Sequence, residues 1–187
     1  MEVRNGRSAL LGELGSYFAA DERERSMVAL MREFLAAHET CFERTLTIGH
    51  VTGSAWIVDP EGAATVLVHH RKLDRWLQPG GHADGDPDLR RVALREACEE
   101  SGLQTIVPAR EAIYDIDVHE IPARGLESGH LHYDVRFAFY AQRSERPVVS
   151  AESRHVQWIA LEEIARFDID DSVRRLVAKT ALLASHA

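Results

Sequence analysis

The chain has 187 residues, 45% of them apolar and 28% charged, with a formal net charge of −8. That composition describes a soluble globular chain, and no apolar run approaches the roughly 20 residues that span a bilayer; net negative charge also argues against general nucleic-acid binding, which needs Lys and Arg to neutralise phosphates. Two cysteines, Cys41 and Cys98, are too few for a disulfide framework, and with no secretory pattern in view the expectation is reduced thiols in a cytoplasmic protein.

Met27, Leu30, Met31, Phe34 and Leu35 recur at helical spacing, which predicts a helix over residues 22–38 with one apolar stripe. Before it, SALLGELGSYFAA reads as a shorter helix weakened by Gly12 and Gly15, so residues 1–45 are expected to form a helical extension. The stripe must bury against the chain's own β domain or against the same helix of a second subunit; a homodimer is therefore one of two expectations. From residue 46 the character changes. GSAWIVD and ATVLVHH are strand-like runs joined by the turn signal PEG, and LDRWLQ follows as a third. A second β set comes in AIYDIDVHEI, LHYDVRFAFYAQ and RHVQWIA, with a polar loop, PARGLESGH, between the first two. Helical spacing returns in LEEIARF and DDSVRRLVAKTALLAS, with Asp170 or Asp171 as N-cap. Trp56, Trp76 and Trp158 read as core or sheet residues. The fold class is α/β of the α+β kind, without regular βαβ alternation.

The stretch QPGGHADGDPDLRRVALREACEESGL, residues 78–103, carries the chemistry. Asp86 is placed as N-cap, Pro87 as first helical residue and Gly102 as the left-handed residue past the end, so a helix is predicted over 87–101. On it Glu96, Glu99 and Glu100 stand at i, i+3 and i+4, three carboxylates on one face. Like charges so placed repel, and a cation with a preference for hard oxygen ligands, Mg²⁺ or Mn²⁺, would relieve them. Leu89, Val92, Ala93 and Ala97 supply the buried side. Gly80 and Gly81, just ahead, let backbone approach a ligand closely.

Gly81, Arg95, Glu96, Glu99, Glu100 and Gly102, with the aliphatic Leu103, resemble the Nudix box. The resemblance implies the Nudix fold, a mixed β-sheet sandwiched between helices, over residues 46–187. It also implies a metal-dependent hydrolase that cleaves a nucleoside diphosphate linked to another group, or a related pyrophosphate. Glu96, Glu99 and Glu100 would hold Mg²⁺ or Mn²⁺, with the Gly80 carbonyl as a further ligand, and the catalytic base would be Glu99 or a loop glutamate, for which Glu152 is the candidate. One position departs from the pattern: Pro87 stands where the family has a glutamate that pairs with the arginine, here Arg95, and Asp84, Asp86 and Asp88 are the substitutes at hand. The competing readings are a non-catalytic ligand-binding module on the same fold, which the intact acidic triplet disfavours, and an isomerase using a reactive cysteine.

The histidines add a second layer. His82 follows the glycine pair. Strand alternation puts His130, His132, Asp134 and Arg136 on one face of their strand, and Asp115, Asp117 and His119 on one face of theirs. If the two strands are neighbours, these faces join into a wall above the metal site, and His82, His119, His132 and Arg136 are the expected substrate contacts, with Arg136 reaching a phosphate.

Overall fold

The computed structural model describes residues 2–71, 73–125, 128–151 and 153–183. Two helices open the chain, α1 (Glu2–Ser16) and α2 (Glu22–Ala37), the second capped by Asp21, whose side chain accepts from the Glu24 amide. The sheet follows in β1 (Gly49–Val58), β2 (Ala64–His70), β3 (Arg75–Leu77) and β4 (Gly80–His82). Then come α3 (Leu89–Ser101), β5 (Val107–Pro108), β6 (Asp115–Ile121), β7 (His130–Tyr140) and β8 (Ser153–Ala160). LEEIAR forms a 3₁₀ helix, and α4 (Asp171–Thr180), capped by Asp170, ends the described fold.

The eight strands form one mixed sheet in the order β3-β2-β1-β7-β5, with β4 paired to β1, β6 to β7 and β8 to β2. Its spine is the parallel β1–β7 pair, in register from Gly49 opposite Leu131 to Val58 opposite Tyr140. Apolar residues pack on both sides. One cluster joins Leu10 and Leu14 of α1, Met27, Met31, Phe34 and Leu35 of α2, and Val92 and Ala97 of α3 to Val51, Val135 and Phe137 of the sheet. The other sets Val173 and Leu176 of α4 against Trp56, Leu67 and Ala138. Met27, Met31, Phe34 and Leu35 of the α2 stripe thus bury on the chain's own sheet, where Phe34 stacks on Tyr133 with ring centroids 3.9 Å apart, while Leu30 stays exposed.

The start of α3 differs from its sequence reading. Asp86 accepts from the Asp88 amide and pairs with Arg91, closing a turn around Pro87, so the capping falls to Asp88, which accepts from the Arg91 amide. The helix begins at Leu89, two residues later than expected. Its other end is as read, with Gly102 left-handed at φ 70°.

A ladder of polar residues crosses three strands. Ser54, Arg136 and Asp115 share one row, Thr52, Asp134 and Asp117 the next, and His50, His132 and His119 the third. In the first two rows the charges are sealed in. Arg136 is 1% exposed and bonds Asp134 at 2.7 Å, Asp115 at 3.2 Å and the Ser172 hydroxyl at 3.2 Å. From α4, Arg175 reaches Asp115 and Asp117, each at 2.8 Å. Lys179 bridges Asp115 at 2.8 Å to Glu24 of α2 at 2.7 Å. Arg136 therefore does not face a phosphate, as its strand pattern suggested, because three aspartates already surround it.

Burial pushes the Asp115 and Asp117 carboxyls up, but bonds and charges from Arg175 and Arg136, with His119 on Asp117 and Lys179 near Asp115, outweigh it and hold both below the ordinary value of 3.8. Folded values lower than unfolded ones mean that this stabilisation is whole above about pH 4 and fades as pH falls through the folded values. Two outcomes in urea denaturation follow. Stability should decline steeply below about pH 4, and Arg136→Met, which takes one buried cation from three buried aspartates, should cost about 3–5 kcal/mol at pH 7.

Candidate active site

The acidic face of α3 meets β4 at the glycine pair. The Gly80 amide donates to Glu100 Oε2 at 3.0 Å, which fixes a carboxylate that is 7% exposed. A Cβ on Gly81 would fall 2.5 Å from Glu96 Cδ and 2.6 Å from each of its oxygens, so only glycine lets that carboxylate lie against the strand. Arg95 donates to Glu96 Oε1 at 2.7 Å and to the His82 carbonyl at 3.0 Å, which ties helix to loop. Glu99 sits exposed on the same helix.

Of the three aspartates that stood ready to replace the motif glutamate, Asp84 pairs with Arg44 at 2.5 Å, Asp86 with Arg91 at 2.5 Å, and Asp88 caps the helix. The close ionic partner of Arg95 among the described residues is Glu96 itself. Pro87 has another neighbour. A Cβ on Gly6 would lie 2.1 Å from Pro87 Cβ, so α1 rests directly on the site where a glutamate would project. A groove of about 310 Å³ beside this contact, lined by Leu10, Glu13, Pro87, Arg90 and Phe137 among others, belongs to the α1–α3 seam and holds none of the box glutamates.

The donor set Glu96, Glu99 and Glu100 consists of hard oxygens, the chemistry that suits Mg²⁺ or Mn²⁺. Among the described residues these three do not all converge within 4.8 Å; the group that does is His50, His130 and His132. Glu96 turns to Arg95 and Glu100 to the Gly80 amide. Glu152, the candidate base outside the box, lies outside the described residues.

The expected histidine contacts do gather. His82 and His132 rings are 5.1 Å apart and His119 and His132 rings 5.6 Å, while His119 Nδ1 lies 3.0 Å from Asp117. Burial, ahead of neighbouring charges, lowers His82 to about 4 and His132 to about 2, so both are neutral at ordinary pH. Side chains alternate along β4, however, and the face of Gly81 that meets Glu96 is opposite the one His82 occupies. The histidine wall is therefore on the other side of the sheet from the box glutamates, not above them. His50 was missed by sequence reasoning, because only the parallel register of β1 on β7 brings it beside His132.

A family model for the NUDIX domain matches residues 49–180. The chain belongs to the Nudix hydrolase family. It is 29% identical over 112 residues to a protein of Mycobacterium tuberculosis, in two strains, that carries the provisional name 8-oxo-dGTP diphosphatase 3. The match takes 57% of this chain and 49% of that one, so the chain spans about half the length of the curated relatives it matches. Two solved structures share the fold: a C. elegans Ap4A hydrolase at TM-score 0.52 and 19% identity, over 72% of this chain and 98% of that one, and an E. coli dihydroneopterin triphosphate pyrophosphohydrolase at 0.52 and 16%, over 69% and 92%. The resemblance in the box is matched by the fold around it. Among the described residues, no helix is long and apolar enough to cross a membrane.

Gly81→Ala separates site from scaffold. The added methyl meets only the end of a flexible side chain, so the melting temperature without metal should hardly move; millimolar Mg²⁺ is expected to raise the parent's melting temperature and to raise the variant's clearly less.

Proposed function

We propose that this chain is a divalent-cation-dependent pyrophosphohydrolase acting on a nucleoside diphosphate linked to another group, or on a related pyrophosphate. The observation that carries the reading is the acidic face of α3 laid against the Gly80–Gly81 backbone, with Glu100 on the Gly80 amide and Glu96 against Gly81. Glu96, Glu99 and Glu100, with the Gly80 carbonyl, would hold Mg²⁺ or Mn²⁺; the bound cation supplies charge to phosphate oxygens and makes water acidic enough to act as nucleophile.

The chain's own residues do the rest. Arg95 orders Glu96 through a hydrogen bond that also raises the arginine's own pKa. The side-chain-free strand edge lets a diphosphate approach the helix without steric cost. A carboxylate must accept the proton of the attacking water: within the box the candidate is Glu99, exposed on the same helix, and outside it Glu152. The name carried by the M. tuberculosis relatives places an oxidised deoxynucleoside triphosphate on the list of substrates to try. The isomerase alternative finds no readily ionised cysteine. Burial raises the Cys98 thiol, with Glu145 and Glu99 adding to the effect, and burial takes Cys41 up to about 11.

The test is steady-state hydrolysis of a panel of nucleoside diphosphate derivatives and nucleoside triphosphates with saturating Mg²⁺ or Mn²⁺. At least one compound should be cleaved, and Glu99→Gln or Glu100→Gln should cut its rate by about 100-fold or more. Near-parental rates in both variants would leave the acidic face without a catalytic part. The base is assigned by the pH–rate profile of Glu99→Gln against Glu152→Gln, since loss of the base removes the acidic limb.

A further inference from the structure

We propose that His50, His130 and His132 form a nitrogen-donor site for a borderline transition-metal cation such as Zn²⁺, separate from the acidic face of α3. The topology builds it. Parallel pairing sets His50 of β1 opposite His132 of β7, and strand alternation puts His130 on the same face two residues away. One ring nitrogen from each of the three lies within 4.8 Å of the others.

The details of the three rings agree with ligation. His130 Nε2 is 3.3 Å from His132 Nε2, and two nitrogens held at 2.0–2.1 Å by one tetrahedral zinc lie about 3.3–3.4 Å apart. His130 Nδ1 is 3.0 Å from the Ser128 carbonyl, an acceptor only, so Nδ1 carries the proton and Nε2 presents its lone pair. His50 is 4% exposed, and neither of its ring nitrogens makes a hydrogen bond among the described residues. The Leu46 carbonyl lies near enough to favour the protonated ring without meeting the geometry of a bond.

An N–H···N bond between His130 and His132 would account for two of the rings and leave His50 bare, whereas one cation satisfies all three. An all-imidazole set selects zinc, cobalt, nickel or copper over magnesium. Three protein nitrogens leave a fourth position, bordered by His82, whose ring is 4.9 Å from that of His50, and by His119, oriented by Asp117. The site does not depend on the hydrolase reading, since Gly81 presents Glu96 to the opposite face of the sheet.

Cobalt is the probe, added to the full chain after chelator treatment. One equivalent of Co²⁺ should give intense visible ligand-field bands of a nitrogen-ligated centre, displaced by one equivalent of Zn²⁺. His130→Ala and His132→Ala, shown folded by circular dichroism, should weaken binding by at least about 10-fold, and Glu100→Gln should leave it unchanged. The proposal is overturned if the bands are absent, survive both histidine substitutions, or vanish in Glu100→Gln. It is equally overturned if inorganic phosphate, and not Co²⁺ or Zn²⁺, stabilises the parent in a His130-dependent way, which would make the cluster an anion site. Mg²⁺-dependent hydrolysis read on the same proteins separates the two sites: hydrolysis without cobalt binding sinks this inference alone, and cobalt binding without hydrolysis sinks the other.

Discussion

The buried charges around Arg136 hold the molecule's architecture in place. Placing a guanidinium at the centre of a sheet is costly unless its hydrogen bonds and its charge are met on every side. Asp134 on the same strand, Asp115 and Asp117 on β6, and Ser172 at the head of α4 meet them. The aspartates in turn need more positive charge than Arg136 provides, and Arg175 and Lys179 of α4 supply it. Lys179 then has reach left for Glu24 and Tyr17, so the network also fastens the N-terminal helices to the sheet. One set of interactions thereby fixes β6 beside β7, α4 across their ends and α2 against the edge.

That network also decides which part of the polar ladder stays available. Two of its three rows are consumed by ion pairs and by the Thr52 and Ser54 hydroxyls bonded to Asp134. The third row, of histidines, has no comparable supply of counter-charge among the described residues and ends in the bare ring of His50. On the reverse of the sheet, Gly81 of β4 removes the side chain that would keep Glu96 of α3 at a distance, and Glu100 reaches the Gly80 amide. The result is two clusters of different donor chemistry, oxygen on one face and imidazole on the other, with a two-residue alternation as the reason they do not merge.

Much of this was legible in the sequence. The α2 stripe, the turn at PEG, the left-handed Gly102 and the acidic triplet are local patterns whose physical meaning does not depend on distant residues. The strand faces of β6 and β7 were also readable, and their adjacency was posed as a condition that the register satisfies. What failed did so for non-local reasons. Arg136 looked like a phosphate contact because its strand says only which face it occupies, while its fate depends on Arg175 and Asp115, residues 39 and 21 positions away along the chain. His50 stood alone ahead of the strand-like run GSAWIVD until a parallel pairing across 82 positions gave it neighbours. The shift of the α3 cap from Asp86 to Asp88 turned on Arg91 competing for the first aspartate. Pro87, a departure from the box in sequence terms, makes physical sense once Gly6 of α1 is seen resting on it.

The central claim is that the acidic face of α3 is the place where the catalytic cation binds. Crystals of the full chain soaked in MnCl₂ and measured at the manganese absorption edge test it directly. The account predicts anomalous density about 2.0–2.3 Å from carboxylate oxygens of Glu96, Glu99 or Glu100. Density confined to His50, His130 and His132, with none beside α3, would contradict it.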